Sequence, residues 1–176
     1  MGGRAFNCGE PMAFFITWTT YGTWLPGDER GWRRWGDGNV QPANGLFVEM
    51  AAARMKETAF TLSLKQREIV EKTIARHCEI RHWILRAVSA RSNHVHVVVT
   101  SPGYRPKRVR DQFKAWCTRH LKPFNPARER FWTEGGSCRS INIEDDLEAA
   151  IQYVNEAQDR KGRDVDPTIQ ARRASE

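Results

Sequence analysis

The order of apolar and polar positions along the chain predicts four strands and four helices. Runs of β-branched and aromatic residues predict the strands Phe14–Tyr21, Trp83–Ser89 and His94–Thr100, and a short fourth strand around Gly135–Gly136. Apolar residues at helical spacing predict the helices Val48–Phe60, Leu64–Glu79 and Pro106–Lys122, and a last helix that runs from a cap at Asn142 to about Arg160. Ser63 and Gln66 have the spacing of a capping box at the start of the second helix.

The order of these elements predicts the fold class. Setting aside the first helix, strand, helix, strand, strand, helix and strand follow one another, which is the βαββαβ order of a ferredoxin-like antiparallel sheet. A further C-terminal helix is added to it. We therefore expect an α+β fold in a single domain over residues 1–160.

Two segments interrupt this regular pattern. Residues 22–47 are rich in glycine, tryptophan and arginine, and glycine at this density favours a loop inserted between the first strand and the rest of the fold. Residues 161–176 are polar and lack any period, so we expect a flexible tail.

The charge of the chain is concentrated in one segment. The chain of 176 residues carries a formal net charge of +7. Between Arg105 and Arg130 there are nine basic and two acidic residues, and the rest of the chain is balanced. A basic segment in a neutral chain favours an anionic partner, of which a polyphosphate backbone is the commonest.

Arg–Trp pairs in the inserted loop have the composition of a surface that stacks bases and contacts phosphates. A satellite core under the loop is the alternative for these tryptophans. The candidate DNA-binding residues are Arg105, Lys107, Arg108, Arg110, Lys114 and Arg119 in the basic segment, and Trp32, Arg33, Arg34 and Trp35 in the loop.

The composition also excludes some classes of protein. No apolar run approaches the roughly 20 residues of a membrane span, and no segment resembles a signal peptide. The four cysteines are far apart and form no CxxC pair, as expected of reduced thiols. We therefore expect a cytoplasmic protein with no membrane partner.

His94 and His96 are the sharpest chemical feature of the sequence. Residues i and i+2 of a strand point to the same face, roughly 6.5–7 Å apart, so two imidazoles can converge on one metal ion there. Val95, Val97 and Val99 would then face the core. Tyr153 lies at the edge of the apolar stripe of the last helix, so its hydroxyl can reach a neighbouring surface.

Taken together, these features resemble the HUH single-tyrosine transposases, which include transposases of small bacterial insertion sequences and REP-associated tyrosine transposases. The matching motifs are HVH at 94–96 and, about 55–60 residues later, the tyrosine of IQYVNEAQ at 151–158. FFITWTTYGTWLPGD at 14–28 and FWTEGGSC at 131–138 also resemble segments of that family. The resemblance covers roughly residues 13–160.

The resemblance implies a metal-dependent enzyme that nicks and joins single-stranded or hairpin DNA. It implies that His94 and His96 hold Mg²⁺ or Mn²⁺ and that Tyr153 attacks the phosphate to form a 5′-phosphotyrosine intermediate. The family's third ligand is usually Gln or Asn four residues after the tyrosine, where this chain has Ala157. Glu156 and Gln158 are the two candidates for that role, and the sequence does not choose between them.

Two alternatives stay open at this stage. The chain is either a non-catalytic module that binds hairpin DNA or RNA on the same fold, or a metal-dependent nuclease that uses water as nucleophile. The resemblance also leaves open whether the tyrosine helix completes the site of its own chain or of a partner in a homodimer.

Overall fold

The computed structural model describes residues 9–33 and 39–157, and a four-stranded antiparallel sheet lies at its centre. The strands in chain order are β1 (Ala13–Thr19), β2 (Trp32–Arg33), β3 (Val40–Gln41), β4 (Ile84–Ala90), β5 (His94–Thr100) and β6 (Ser137–Ile141). The helices in chain order are α1 (Gly45–Ala53), α2 (Leu64–Arg81), α3 (Pro106–Leu121) and α4 (Glu144–Gln152). A 3₁₀ turn at Lys122–Phe124 follows α3, and a π turn at Tyr153–Ala157 follows α4.

The predicted α+β fold is confirmed. The main sheet has the order β4-β5-β1-β6, and every neighbouring pair in it is antiparallel. β1, α2, β4, β5, α3 and β6 supply the expected βαββαβ order, and α4 is the added helix. The N-terminal strand is therefore central, between the strand that carries the histidines and the strand that precedes the tyrosine helix.

The two faces of the sheet are covered differently. Val95, Val97 and Val99 are fully buried and share one apolar cluster with Val70 of α2 and Phe113 of α3, as the alternating pattern predicts. On the other face, α4 packs over part of the sheet in a smaller apolar cluster formed by Ala13, Ala87, Val98, Ile141, Leu147, Ala150 and Val154. The two histidines also lie on that second face, next to the part that α4 covers.

Two predicted elements have wrong bounds, each for a local reason. The first helix is Gly45–Ala53 and not Val48–Phe60, because the Asn44 side chain caps it earlier by accepting from the Phe47 amide. The fourth strand begins after Gly135 and Gly136, because both have positive φ angles, of 75° and 135°, that a strand does not tolerate.

The start of the last helix and part of the inserted loop also differ from expectation. Ile143, not Asn142, is the N-cap residue of α4, and no side chain caps this helix. The inserted loop contains the short antiparallel pair β2–β3. The predicted capping box of Ser63 and Gln66 is present at α2.

Some expectations fall outside the described residues. These are the last turn of the helix expected to reach Arg160, the tail at 161–176, and the ends of the 1–160 domain. Within the described ranges, no helix has the length and apolar composition needed to cross a bilayer. Cys78, Cys117 and Cys138 are free thiols.

Candidate active site

The two histidines lie side by side on the partly covered face of the sheet. In the register of the strands His96 is opposite Thr17 of β1 and Ser89 of β4, and His94 is opposite Thr19. Their ring centroids are 4.6 Å apart and the ring planes are nearly perpendicular. The predicted convergence of the two imidazoles is therefore present in the fold.

Each imidazole makes a hydrogen bond through Nδ1. His94 Nδ1 is 2.6 Å from Asn93 Oδ1, and His96 Nδ1 is 2.7 Å from Thr17 Oγ1. An amide oxygen only accepts, so His94 carries a hydrogen on Nδ1. The Thr17 hydroxyl accepts equally well, which allows His96 the same tautomer. Outer partners of this kind orient histidines that ligate metals.

His96 is held in its neutral form. Only 8% of its surface is exposed, and burial lowers the pKa of His96 to about 3. Burial is the largest cause of this low pKa, and the nearby His94 and Arg91 contribute the rest of the lowering. A neutral imidazole is the form that binds a metal ion.

Tyr153 reaches this pair from the end of α4. Leu147, Ala150 and Val154 anchor this end of the chain in the smaller apolar cluster, while 38% of Tyr153 stays exposed. Its ring centroid lies 5.8 Å from that of His96, in an edge-to-face arrangement. Residues far apart in the chain, on β5 and just after α4, thus meet at one place.

Two residues that the sequence analysis did not single out complete this centre. The Phe15 ring stacks on His96 at 5.6 Å and meets Tyr153 edge-on at 6.0 Å, so the three rings contact one another in a triangle. The Arg139 guanidinium lies 5.4 Å from the centroid of Phe15 and brings a positive charge beside the centre. Phe15 and Arg139 are opposite each other in the register of β1 and β6, and this pairing brings both side chains to the centre.

The residues present fit a divalent cation in part. His94 and His96 have the spacing of a ligand pair, and His96 is in the neutral form that binds a metal ion. Glu156 instead accepts a hydrogen bond from Gln152 at 3.2 Å, and within residues 9–33 and 39–157 no three His, Cys, Asp or Glu side chains gather as a metal site. Gln158 lies outside the described residues. The third ligand thus remains a prediction.

The candidate DNA-binding residues fall into three groups. Exposed side chains belong to Arg105, Lys107, Arg108 and Arg119. Two that the sequence analysis placed with them, Arg110 and Lys114, point inward instead. In the inserted loop, Arg34, Trp35 and the side chain of Arg33 lie outside the description, and Trp32 is partly buried, with its Nε1 donating to Pro42.

Arg110 and Lys114 hold the loop that leads into β6. Arg110 is only 8% exposed, and its guanidinium donates to the Gly136 carbonyl and pairs with Asp111. Lys114 Nζ donates to the carbonyls of Thr133 and Gly135 at 2.6 and 2.9 Å. Because their donors are bound to backbone oxygens, both residues act as clamps for this loop.

Comparisons with known proteins identify the family of this chain. Residues 50–157 match the family model described as "Transposase IS200 like". The search of the curated proteins gave no match.

Two solved structures resemble the chain. One is a REP-associated tyrosine transposase bound to a REP hairpin, with a TM-score of 0.53 and 13% identity, covering 92% of this chain and 75% of that one. The other is a proposed transposase from Deinococcus radiodurans, with a TM-score of 0.45 and 13% identity, covering 90% of this chain and 97% of that one. The first likeness supports the fold, and the family model, which spans more than half of the sequence, shows that this chain belongs to the IS200-like transposase family.

Proposed function

We propose that this protein cuts and rejoins single-stranded DNA through a covalent bond between Tyr153 and a 5′ phosphate. The observation that carries the proposal is the meeting of His94, His96 and Tyr153 at one place on the sheet. A hydroxyl nucleophile beside two imidazoles is an arrangement suited to phosphoryl transfer, and it agrees with membership of a transposase family.

The bond changes in this reaction balance without an outside energy source. The Tyr153 oxygen attacks phosphorus, and the bond from phosphorus to the 3′ oxygen breaks. The tyrosine hydroxyl loses its proton to solvent, and the departing 3′ oxygen takes a proton from solvent to become a 3′ hydroxyl. In the return step a 3′ hydroxyl attacks the phosphotyrosine and Tyr153 regains a proton. Because one phosphodiester bond is stored as another, joining needs no nucleotide cofactor.

The protein's own residues position the nucleophile and the metal ligands. Phe15 packs against both His96 and Tyr153, and Thr17 and Asn93 orient the imidazoles. Mg²⁺ or Mn²⁺ is the proposed cofactor of His94 and His96, and when bound it supplies charge that polarises the scissile phosphate. The exposed Arg139 adds positive charge on the same side.

For the third ligand we favour Gln158 over Glu156. Glu156 accepts a hydrogen bond from Gln152. Gln158 has the amide side chain that the resembled family uses for this role. Its amide oxygen is a suitable ligand for Mg²⁺ or Mn²⁺.

The proposed DNA substrate is a single strand beside a hairpin. The exposed basic residues Arg105, Lys107 and Arg108 at the start of α3, and Arg119 near its end, are the candidate phosphate contacts. The related transposase was solved with a REP hairpin, which supports a substrate of this kind. The proposal is compatible with a monomer, in which Tyr153 completes the site of its own chain, and with a homodimer, in which it completes the site of the partner.

Tyr153→Phe tests the nucleophile. With labelled hairpin DNA and Mn²⁺, we expect the native protein to form a covalent adduct on a denaturing gel, and the variant to form none, because the attacking oxygen is gone. Tyr104→Phe is the matched control, since Tyr104 packs on Trp83, away from His94 and His96. EDTA should abolish the adduct of the native protein.

The other outcomes point to the alternatives. An adduct that survives in Tyr153→Phe would remove Tyr153 from its role. Cleavage by the native protein that yields free 5′ phosphates without any adduct would indicate water as the nucleophile. Tight DNA binding with no cleavage at all would indicate a non-catalytic module.

A further inference from the structure

A cleft of about 600 Å³ lies between the inserted loop and the edge of the main sheet. Thr17, Ser137 and Gly135 line one side of it, and Trp24, Arg30 and Trp32 line the other. We call it the Trp24 cleft. Its volume falls within the range of sites that hold small organic ligands.

The Trp24 cleft opens directly beside the candidate active site. Thr17, which lines it, is the residue whose hydroxyl lies 2.7 Å from His96 Nδ1. Ser137 is opposite Thr17 in the register of β1 and β6. A DNA strand whose phosphate lies at the histidines therefore has its next nucleotide within reach of the cleft.

The wall formed by the inserted loop presents a fixed aromatic platform. Trp24 is 43% exposed, although its Nε1 donates to the Gly31 carbonyl at 2.8 Å. The Arg30 guanidinium lies 5.1 Å from the Trp24 ring centroid, and it is held there by Asp28 and by the Thr23 carbonyl. Asp28 neutralises the charge of Arg30 locally. The Trp24 ring and the Arg30 guanidinium therefore offer flat stacking surfaces more than charge.

The opposite wall is equally fixed. Lys114 and Arg110 clamp the carbonyls of the loop that forms it, as described above. Gly136 approaches the sheet so closely that a Cβ atom there would lie 2.6 Å from the Thr17 carbonyl oxygen. Two rigid walls lower the entropic cost of ordering a ligand between them.

We propose that the Trp24 cleft binds an unpaired nucleobase next to the scissile phosphate, by stacking on Trp24. Aromatic platforms that bind single strands recognise bases in this way, with little dependence on base identity. The inference rests on the proposed function, because it takes single-stranded DNA as the substrate. It adds a base-binding site that the basic surface of α3 does not supply.

Binding of two strands with equal phosphate content tests the proposal. One probe is oligothymidylate of about twelve nucleotides, within the site sizes known for single-strand binders, and the other is an abasic strand of the same length. Both are measured by fluorescence anisotropy in EDTA with the Tyr153→Phe protein, so that neither cleavage nor metal enters the result. We expect the protein to prefer the strand that carries bases.

Trp24→Ala should lower affinity for oligothymidylate about thirtyfold, the middle of the range for loss of one stacked base, and leave affinity for the abasic strand unchanged. Trp24→Phe should keep most of the preference. Trp116→Ala is the matched control, because Trp116 is 37% exposed and has Arg119 at 4.6 Å from its ring, but it lies on α3, under the other face of the sheet. It should keep the full preference.

Each result decides between the proposals. An unchanged preference in Trp24→Ala, or an equal loss in Trp116→Ala, would overturn the base site and leave the proposed function standing. A preference that depends on Trp24, together with no covalent adduct in the Tyr153 experiment, would retain the base site and overturn the enzyme. Failure to bind either strand would overturn both.

Discussion

The basic residues of α3 divide into two sets that a count of charges does not distinguish. Lys107, Arg108 and Arg119 are exposed, whereas Arg110 and Lys114 turn inward and bind the carbonyls of residues 133–136. The first set is available to an anionic partner, and the second set shapes the protein itself. The comparison shows that a count of charges in a segment is not a measure of its charged surface.

Arg110→Met should give the largest change in stability. The apolar replacement has a similar length, but it leaves the Gly136 carbonyl without its donor, so we expect a loss of about 2 kcal/mol, as for hydrogen bonds to charged groups. Urea denaturation measures it. The salt dependence of DNA binding should stay as in the native protein, and a flatter dependence would move Arg110 into the exposed set.

Lys114 should make the free energy of unfolding depend on pH. Burial, helped by Arg110, lowers the pKa of Lys114 from its ordinary value of 10.5 to about 8. Between these pH values the unfolded chain binds more protons than the folded chain, so the stability of the native protein should rise with pH across this window. Below about pH 8 both states are protonated, and the cost of burying the charge is fully present.

Lys114→Met removes this titration, so the difference in unfolding free energy between native protein and variant should shift by about 1 kcal/mol in favour of the native protein from pH 8 to 10.5. This is well below the full effect of the pKa shift, because Lys114 is only partly buried. Thermal or urea unfolding at several pH values measures it. A difference that does not change with pH would place Lys114 with the solvated residues.

The exposed set should show the smallest effect on stability and the clearest effect on binding. Arg108→Ala should change the unfolding free energy by less than about 0.5 kcal/mol, as is usual for surface positions. If Arg108 contacts a phosphate, the slope of log K against log salt for single-stranded DNA should fall by about 0.7. An unchanged slope would place the DNA path away from the start of α3.

The inward set has a signal in the sequence that charge counting hides. Arg110 and Lys114 each follow a residue of the buried stripe, Val109 and Phe113, by one position. At about 100° per residue they lie at the edge of that stripe, where a long side chain can reach over to a neighbouring loop. The loop that they hold could not be identified from the sequence, because residues 133–136 contact α3 only in the folded chain.

The sheet and the histidines were the predictable part of the molecule. Alternation of valine and histidine places His94 and His96 on one face whatever the partners of the strand, so the bounds of β5 and the pairing of the imidazoles are as expected. Phe15 and Arg139 could not be found in this way. Their position depends on the register of β1 with β5 and β6, which periodicity does not contain.

The end of α4 was the least predictable part. Apolar spacing indicates that Tyr153 lies near the edge of a stripe, but it assumes a regular helix. The change to a π turn at Tyr153 depends on which backbone groups pair, and it alters which later residue shares a side with the tyrosine. The choice between Glu156 and Gln158 could therefore not be made from spacing alone.

The central position of β1 has a consequence for how the chain folds during its synthesis. Proteins emerge from the ribosome with the N-terminus first, so β1 is made early and waits for β5 and then for β6 before the sheet is complete. A growing chain that has reached β5 has both histidines and no Tyr153. The proposed nicking chemistry is therefore withheld until the whole sheet has closed around its first strand, which separates the synthesis of this protein from its action on DNA.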